Sequence, residues 1–440
     1  MNLKIPLKAN SKKDPLVNEN KEGVAKTPPI IDGIVQRKVG FELETNWFIS
    51  KNLGVDDEGK PKLDGLKKRD RIGPDIYENF YIEADQAGVN FLEHRSASSI
   101  EFVVSPPFEE SPDELPRLAR VMDQVFAVTE KFRQKMLLHR KPSDLFPELL
   151  VPNSFPLSEV TGRACDAEYL IEPDQSKVTG GIQVTTALDM GKFGLMESLC
   201  SKEDDLPIFF KQFAHYMSER INLVHDREHL SPELQGLMGV LAAYIEIGSY
   251  PPDILNPQRF PDTKDAGLNL FSYALPYPKK LGDNIMLRTD AATALETIPK
   301  EELSRLRANP HFWKRMMMMS SGLMPDFMDR PLFETGMMES FVNEKGKADE
   351  KWVPISPLKR SEWLERMLFG QDLLADIEEA PCINKWKGLL EPIGPVSEQK
   401  LAPVFEIRHF QGRSIDAKDW KKTVLSIFRF ILKYHGHDIA

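Results

Sequence analysis

The sequence predicts an α+β fold in which helices pack on one face of an open antiparallel sheet. Four short segments alternate apolar and polar residues with the period of two that is typical of half-exposed strands. Other segments repeat apolar residues at the spacing of amphipathic helices. Because the chain has ordinary globular composition, 41% hydrophobic and 28% charged, both patterns can contribute to one core.

The composition excludes several classes of protein. No apolar run approaches the roughly 18–20 residues that span a bilayer, and the amino terminus has no apolar segment typical of a secretory signal. We therefore expect a soluble, cytoplasmic protein. The net charge of −10 disfavours nucleic acid as the main partner. Cys165, Cys200 and Cys382 form no CxxC pair, which disfavours zinc ribbons and disulfide frameworks.

Residues 1–38 differ from the rest of the chain. They contain lysine, proline and asparagine but no aromatic residue, so they can bury little apolar surface. The sequence predicts a disordered leader over 1–38 and one folded domain over 39–440, with a helix-rich region at about 200–400. A lysine- and aspartate-rich stretch at 56–75 is expected to be a solvated loop.

Four segments carry helix signals. Ser111-Pro112 and Ser231-Pro232 place a capping hydroxyl before a proline at the first helical position. A further helix is expected after Ser361. The last helix has the clearest apolar stripe, and Gly436 is expected to end it. That stripe consists of Trp420, Val424, Ile427, Phe428, Ile431 and Leu432.

The four predicted strands share one feature, which is polar residues on one face and apolar residues on the other. The first strand, Val39–Glu44, carries two carboxylates, and the second, Ile100–Val104, carries one. The third, Gly180–Thr186, carries an amide and a hydroxyl, and the fourth, Val404–Arg408, carries a carboxylate and a guanidinium. If the four strands join one sheet, its polar face contains Glu42, Glu44, Glu101, Glu406, Gln183, Thr185 and Arg408.

Such a face suits a metal ion and a phosphate group. Several carboxylates on one surface repel one another unless cations neutralise them. Oxygen ligands favour a hard cation such as Mg²⁺, which commonly also binds substrate phosphates. The fork of Arg408 matches a phosphate oxygen pair. The residue types therefore indicate phosphoryl transfer.

The motifs GFELE, IEFVVSPP, GGIQVTT and FEIR, in this order, resemble the motif series of the amidoligase family, which is related to glutamate–cysteine ligases and glutamine synthetase. The resemblance covers about 39–190 and 404–410. It implies a glutamine synthetase-like sheet and an ATP- and magnesium-dependent carboxylate–amine ligase. By resemblance, Glu42, Glu44, Glu101 and Glu406 would bind magnesium, Arg408 would bind the γ-phosphate of ATP, and Arg288 would contact a substrate carboxylate.

The third motif departs from the family, because Gln183 and Thr185 stand where the family has two histidines. Both can still contribute an oxygen ligand toward the metal and the nucleotide. The implied reaction forms an amide through an acyl phosphate, and the carboxylate and amine substrates could be small molecules, peptides or proteins. A catalytically inactive partner-binding module and a phosphotransferase on the same fold remain alternatives.

Other motifs are interpreted as structural. His225-Asp226-Arg227-Glu228-His229 matches H-x-x-E-H, but Ser231-Pro232 follows too closely for a mid-helix zinc site. Glu93-His94-Arg95 is expected to be a surface turn and Met316–Met319 to fill a core. No P-loop motif occurs.

The end of the leader is similar to junctions before toxin-like domains carried by bacterial contractile injection systems, which implies an effector delivered into a target cell.

Overall fold

The structure is a computed structural model with an α+β architecture. It describes residues 30–31, 34–35, 37–55, 57–59, 61–65, 79–84, 89–91, 95–134, 169–173, 178–200, 215, 217–225, 227–247, 285–289, 291–322, 328–329, 337–342, 348–353, 359–371, 402–409 and 415–439.

The strands are β1 (Ile30–Ile31), β2 (Ile34–Val35), β3 (Lys38–Val55), β4 (Pro61–Gly65), β5 (Phe80–Ala84), β6 (Val89–Phe91), β7 (Arg95–Val104), β8 (Phe108–Glu109), β9 (Tyr169–Pro173), β10 (Thr179–Ala187), β11 (Ile285–Leu287), β12 (Met337–Val342), β13 (Ala348–Val353), β14 (Val404–His409) and β15 (Ile415–Asp416). The α-helices with described bounds are α1 (Leu115–Gln134), α2 (Phe193–Cys200), α3 (Pro232–Ile247), α4 (Ala291–Leu295), α5 (Lys300–Ala308), α6 (Pro310–Ser321), α7 (Arg360–Leu368) and α8 (Ala417–His435).

The main sheet is open and antiparallel, with the order β11-β14-β10-β3-β7-β5. The four predicted strands correspond to β3, β7, β10 and β14, and all four lie in this sheet, which confirms the predicted fold class. β3 is much longer than expected and extends to Val55. Its far end pairs with β4 and β9, so residues 61–65 of the expected solvated loop form a strand instead.

The apolar face of the sheet packs under α8. Phe41 of β3 lies 6.2 Å from Phe428, and Phe102 of β7 lies 6.3 Å from Trp420, measured between ring centroids. Both strand residues are at most 1% exposed. Aromatic rings in such tilted and edge-on contacts bury large apolar areas, so this layer contributes much of the core energy. The amphipathic stripe of the last helix therefore fixes which face of the sheet is covered.

The predicted helix starts and stops agree with the structure. Ser111 caps a 3-10 turn at Pro112–Glu114 that leads into α1, and the Ser231 hydroxyl accepts a hydrogen bond from the Leu234 N–H at the start of α3. The helix expected after Ser361 is α7, which begins at Arg360. Gly436 ends α8 with a φ of 92°, a left-handed conformation that favours glycine.

The region between β10 and β14 contains α2–α7, the short β11 and the β12–β13 hairpin. Met316 and Met317 are 3% and 0% exposed, which agrees with the core role expected for the methionine run.

At the amino end, residues 1–29 of the predicted leader lie outside the described residues, while β1 and β2 pair with each other inside it. The domain boundary at 39 stays a prediction, and Glu93-His94 also lie outside the described residues. Within the part of the chain that is described, no helix is long and apolar enough to cross a membrane.

Candidate functional site

The strand register brings three carboxylates into one row. Glu44 on β3 lies directly opposite Glu101 on β7, and Glu101 lies opposite Glu83 on β5. Directly opposite residues of antiparallel strands project to the same face, with Cβ atoms about 4.5–5.5 Å apart. The row Glu44, Glu101 and Glu83 therefore crosses three adjacent strands on one face, which we call the polar face.

The remaining predicted positions fall on the same face. Glu42 lies opposite Gln183, and Gln183 in turn lies opposite Arg408. Thr185 lies opposite Glu406. Because residues two apart along a strand share a face, these rows continue the first one. The register thus brings together the polar positions that the sequence grouped, although the side chain of Arg408 lies outside what the structure describes.

Several side chains of the polar face are buried. Glu101, Gln183 and Glu406 are only 3–4% exposed and Glu83 is 9% exposed, while Glu42, Glu44 and Thr185 are half-buried. Burying a carboxylate is costly unless donors or cations replace its water. Charges at this depth also interact more strongly than in bulk water. The polar face is therefore a protected surface on which a bound cation would be held strongly.

Gln183 has an unusual hydrogen-bond balance. Its Nε2 donates to Glu101 Oε1 at 3.3 Å, which fixes the amide nitrogen toward the carboxylate row. Its Oε1 is buried and accepts no hydrogen bond from any residue that the structure describes. A buried carbonyl oxygen without a donor costs about 1–3 kcal/mol. That oxygen is an acceptor in position for a cation or a ligand donor.

Arg288 contacts Glu406. The Arg288 Nε donates a hydrogen bond to Oε2 of Glu406, and Nη2 forms an ion pair with the same oxygen. The family resemblance implies that Arg288 contacts a substrate carboxylate, whereas in the structure its guanidinium contacts a carboxylate of the protein. The Arg288–Glu406 pair joins the edge strand β11 to the polar face.

Glu83 is a residue of the polar face that sequence reasoning missed. It lies on β5, where Phe80, Ile82 and Ala84 are buried on the opposite face. The alternation Phe-Tyr-Ile-Glu-Ala was a weak strand signal, because it has one carboxylate and no neighbouring motif. Only the pairing with Glu101 shows that Glu83 extends the carboxylate row.

The donor chemistry of the polar face suits magnesium. Among the residues that the structure describes, no three His, Cys, Asp or Glu side chains form a group that could hold a metal ion by themselves. Nevertheless, carboxylate oxygens and an amide carbonyl oxygen are the ligands that hard cations prefer. The fit is thus one of ligand type and burial, and the metal-binding roles of Glu42, Glu44, Glu101 and Glu406 stay a prediction.

The H-x-x-E-H motif does not form a mid-helix pair. Arg227–His229 is a short 3-10 helix just before α3, and both His225 and His229 are exposed. The two imidazoles therefore do not share one face of a continuous helix, which a zinc-peptidase site requires. The interpretation as solvated charges near a helix end agrees with this geometry.

A second cluster of titratable groups lies where the end of α8 meets the segment before α1. Glu110 is fully buried, and its Oε1 lies 2.9 Å from His435 Nδ1 and 3.1 Å from His437 Nε2. Burial raises the pKa of Glu110 to about 7, although nearby Arg37 and His437 act in the opposite direction. Burial also lowers the pKa of His435 to about 2, and Arg37 adds to that effect. His435 is therefore neutral, and the cluster serves as a buried clamp between chain segments.

Comparisons with known proteins give two distant structural matches. No protein family and no curated protein matches the sequence. A VgrG Vibrio cholerae toxin ACD domain in complex with ADP and manganese is similar, with 10% identity over 88% of this chain and 96% of that chain and a TM-score of 0.35. A Vibrio cholerae toxin of the MARTX/VgrG family is 11% identical over 87% of this chain and 96% of that chain, with a TM-score of 0.34. Structural similarity at this level does not establish a shared function.

Proposed function

We propose that this chain is an ATP- and magnesium-dependent ligase that joins a carboxylate to an amine. The observation that carries the proposal is the buried carboxylate row beside a carbonyl oxygen without a donor. Glu101 and Glu83 are buried opposite each other, and Gln183 Oε1 accepts no bond from the described residues. A hard cation would offset the repulsion and use the acceptor, so one ligand meets both requirements.

The residue roles follow from the rows of the polar face. Glu42, Glu44, Glu101 and Glu406 are the proposed magnesium ligands. Glu83 is added to that set because it faces Glu101. Gln183 and Thr185 would contribute oxygen ligands beside the nucleotide, and Arg408, whose backbone lies opposite Gln183, would bind the γ-phosphate. A glutamine synthetase-like arrangement of the open sheet belongs to this proposal.

The proposed reaction has two steps. A substrate carboxylate takes the γ-phosphoryl group of ATP, which releases ADP and gives an acyl phosphate. An amine then attacks the acyl carbon, and the products are an amide and inorganic phosphate. Bound magnesium would neutralise phosphate charge, while the side chains of the polar face position the reactants.

The departure in the third motif is compatible with this function. Gln183 and Thr185 replace two histidines of the family pattern, and this change is the main support for an inactive partner-binding module. A magnesium site does not need imidazole, because magnesium prefers oxygen ligands. The buried Oε1 of Gln183, which accepts no hydrogen bond from the described residues, supports a ligand role for the amide rather than a neutral replacement.

Binding of a nucleotide analogue tests the proposal without knowledge of the substrates. Calorimetry would measure magnesium with a non-hydrolysable ATP analogue in the wild type, in Glu44→Gln and in Glu301→Gln. Glu301 is an exposed acid on α5 and serves as the matched control. We expect magnesium-dependent binding that Glu44→Gln weakens and Glu301→Gln preserves. No binding in the folded wild type would overturn the ligase and favour the partner-binding module.

A trapping experiment separates the ligase from a phosphotransferase. Hydroxylamine supplied as the amine would convert an acyl phosphate into a hydroxamate, which is detected by mass spectrometry after incubation with candidate carboxylates and ATP. Hydroxamate formation with release of ADP is the expected result. ADP release with a stable phosphorylated product and no hydroxamate would identify a phosphotransferase.

The leader carries a further part of the proposal. We propose an effector that is delivered by a contractile injection particle and that modifies a peptide or protein in the cytoplasm of a target cell. The support is the aromatic-free, lysine- and proline-containing composition of residues 1–38. Co-sedimentation of the native protein with such a particle is the expected result, and removal of residues 1–29 should abolish it.

A further inference from the structure

The Arg288–Glu406 pair has a geometry that matters for binding at the polar face. The Nε of Arg288 donates a hydrogen bond to Oε2 of Glu406, and Nη2 of the same guanidinium forms an ion pair with that oxygen. The Glu406 side chain is 6% exposed, so this contact offsets the cost of a buried charge. Charge-assisted hydrogen bonds of this kind are about twice as strong as neutral ones.

The backbone of Arg288 is held firmly while its side chain reaches solvent. The Arg288 N–H donates to the Val404 carbonyl at 2.8 Å, and the Val404 N–H donates to Thr289 Oγ1 at 2.9 Å. The Arg288 side chain is nevertheless 29% exposed. Rotation about its side-chain bonds can therefore move the guanidinium off Glu406 without moving strand β11.

A metal ion and the guanidinium compete for Glu406. Glu406 lies opposite Thr185, within the rows that make up the polar face. A cation that takes Glu406 Oε2 as a ligand places positive charge where Nε and Nη2 of Arg288 now lie. Like charges at that distance repel, so the ion weakens the contact between the guanidinium and the oxygen.

We infer that Arg288 is a built-in counter-ion of Glu406, which magnesium displaces, and that the released guanidinium then binds a phosphate of the nucleotide. This inference rests on the proposed function and changes the role of Arg288 from contact with a substrate carboxylate. Magnesium alone must break a buried charge pair, whereas magnesium with a nucleotide replaces that pair by an Arg288–phosphate contact. Metal and nucleotide therefore bind cooperatively, and each raises the affinity for the other by the same factor.

Calorimetry of the full chain measures this coupling. Mg²⁺ is titrated alone and at saturating ADP into the wild type, into Arg288→Gln and into Arg305→Gln. Arg305 is an exposed arginine on α5 that pairs with Glu302, so it is the matched control. In the wild type and the control we expect ADP to raise the Mg²⁺ affinity by about 5–150-fold.

Arg288→Gln should show two opposite changes. The affinity of this variant for Mg²⁺ alone should rise, because no guanidinium has to leave Glu406. The factor by which ADP raises the Mg²⁺ affinity should fall to nearly one. Weaker binding of Mg²⁺ alone, or unchanged coupling, would overturn the inference. If Arg288→Gln does not fold, the double variant Arg288→Gln/Glu406→Gln is measured instead, because it replaces the charged pair by two neutral amides. If ADP raises the Mg²⁺ affinity of the double variant as much as that of the wild type, the inference is also overturned.

The outcomes also separate this inference from the proposed function. Cooperative magnesium and ADP binding that survives in Arg288→Gln leaves the nucleotide site in place and removes only the counter-ion role. Absence of Mg²⁺ and ADP binding in the folded wild type overturns both. A melting curve of each variant without ligand confirms that the compared proteins are folded.

Discussion

Gly180 is the position where a single methyl group should distort the candidate site. It lies on β10, opposite Thr45 of β3. A Cβ atom at Gly180 would lie 1.8 Å from the carbonyl oxygen of Glu44 and 3.0 Å from Cζ2 of Trp420. The first neighbour is backbone of the central strand, and the second is a tryptophan that is 1% exposed. Neither can move away cheaply, so Gly180→Ala must displace β3 from β10.

The loss of stability expected for Gly180→Ala follows from the steric overlap of the new methyl group with its neighbours. Extra atoms in a packed core typically destabilise a protein by about 1–3 kcal/mol. The 1.8 Å contact is with backbone, so we expect the upper part of that range for Gly180→Ala. A shift of Glu44 also misaligns it with Glu101, so magnesium binding should weaken as well. Urea unfolding followed by tryptophan fluorescence measures the free energy, and calorimetry measures the metal affinity.

Gly194→Ala is the matched control for this experiment. Gly194 lies exposed on α2, and a Cβ there would have no described atom within 4 Å. Alanine in a helix is favoured over glycine by about 0.5–1 kcal/mol, so this variant should gain stability. Equal or greater stability of Gly180→Ala relative to the wild type would refute the steric argument and the register on which it rests.

Three further outcomes concern the buried clamp, the core and the surface. The pKa of Glu110 is about 7 in the folded protein, whereas the ordinary value is 4.5. The protonated carboxyl therefore contributes fully to stability below pH 4.5, and this contribution is lost as the pH rises through 7. The free energy of unfolding of the wild type, measured with urea, should therefore fall by up to about 3 kcal/mol relative to that of Glu110→Gln between pH 4.5 and pH 7. If the difference between the two proteins does not change with pH, this expectation is wrong. Trp420→Ala should cost about 3–5 kcal/mol in the same assay, and Trp420→Phe, which keeps a ring beside Phe102, should cost clearly less. Lys421→Gln removes an exposed pair with Asp123 and should change stability by less than about 1 kcal/mol, with no difference left at high salt.

The sequence alone predicted the faces of the strands correctly. Phe41 and Leu43 are buried while Glu42 and Glu44 are half-buried on the other side, as a period of two requires. The last helix was equally clear, because a long stripe of large apolar residues leaves one way to bury it. Such local patterns depend only on spacing, so they are available without knowledge of the fold.

Contacts between distant segments could not be predicted in the same way. Glu101 and Glu83 face each other only because β5 pairs with β7, and that register is set by tertiary packing. The Arg288–Glu406 contact joins residues that are 118 positions apart. The strand at 61–65 was missed for a related reason, since the long end of β3 supplies a pairing partner that overrides the polar composition of that segment.

The charge of the polar face favours a cation site over a partner-binding surface. Carboxylates directly opposite each other repel, and burying a carboxylate costs folding energy, so a cation bound beside Glu101 and Glu83 would stabilise the folded protein. A neutral amide of the same shape fits at this depth, because Gln183 occupies the same face and is equally buried. The same carboxylates are necessary for a magnesium site, and for this reason we favour the ligase over the inactive module.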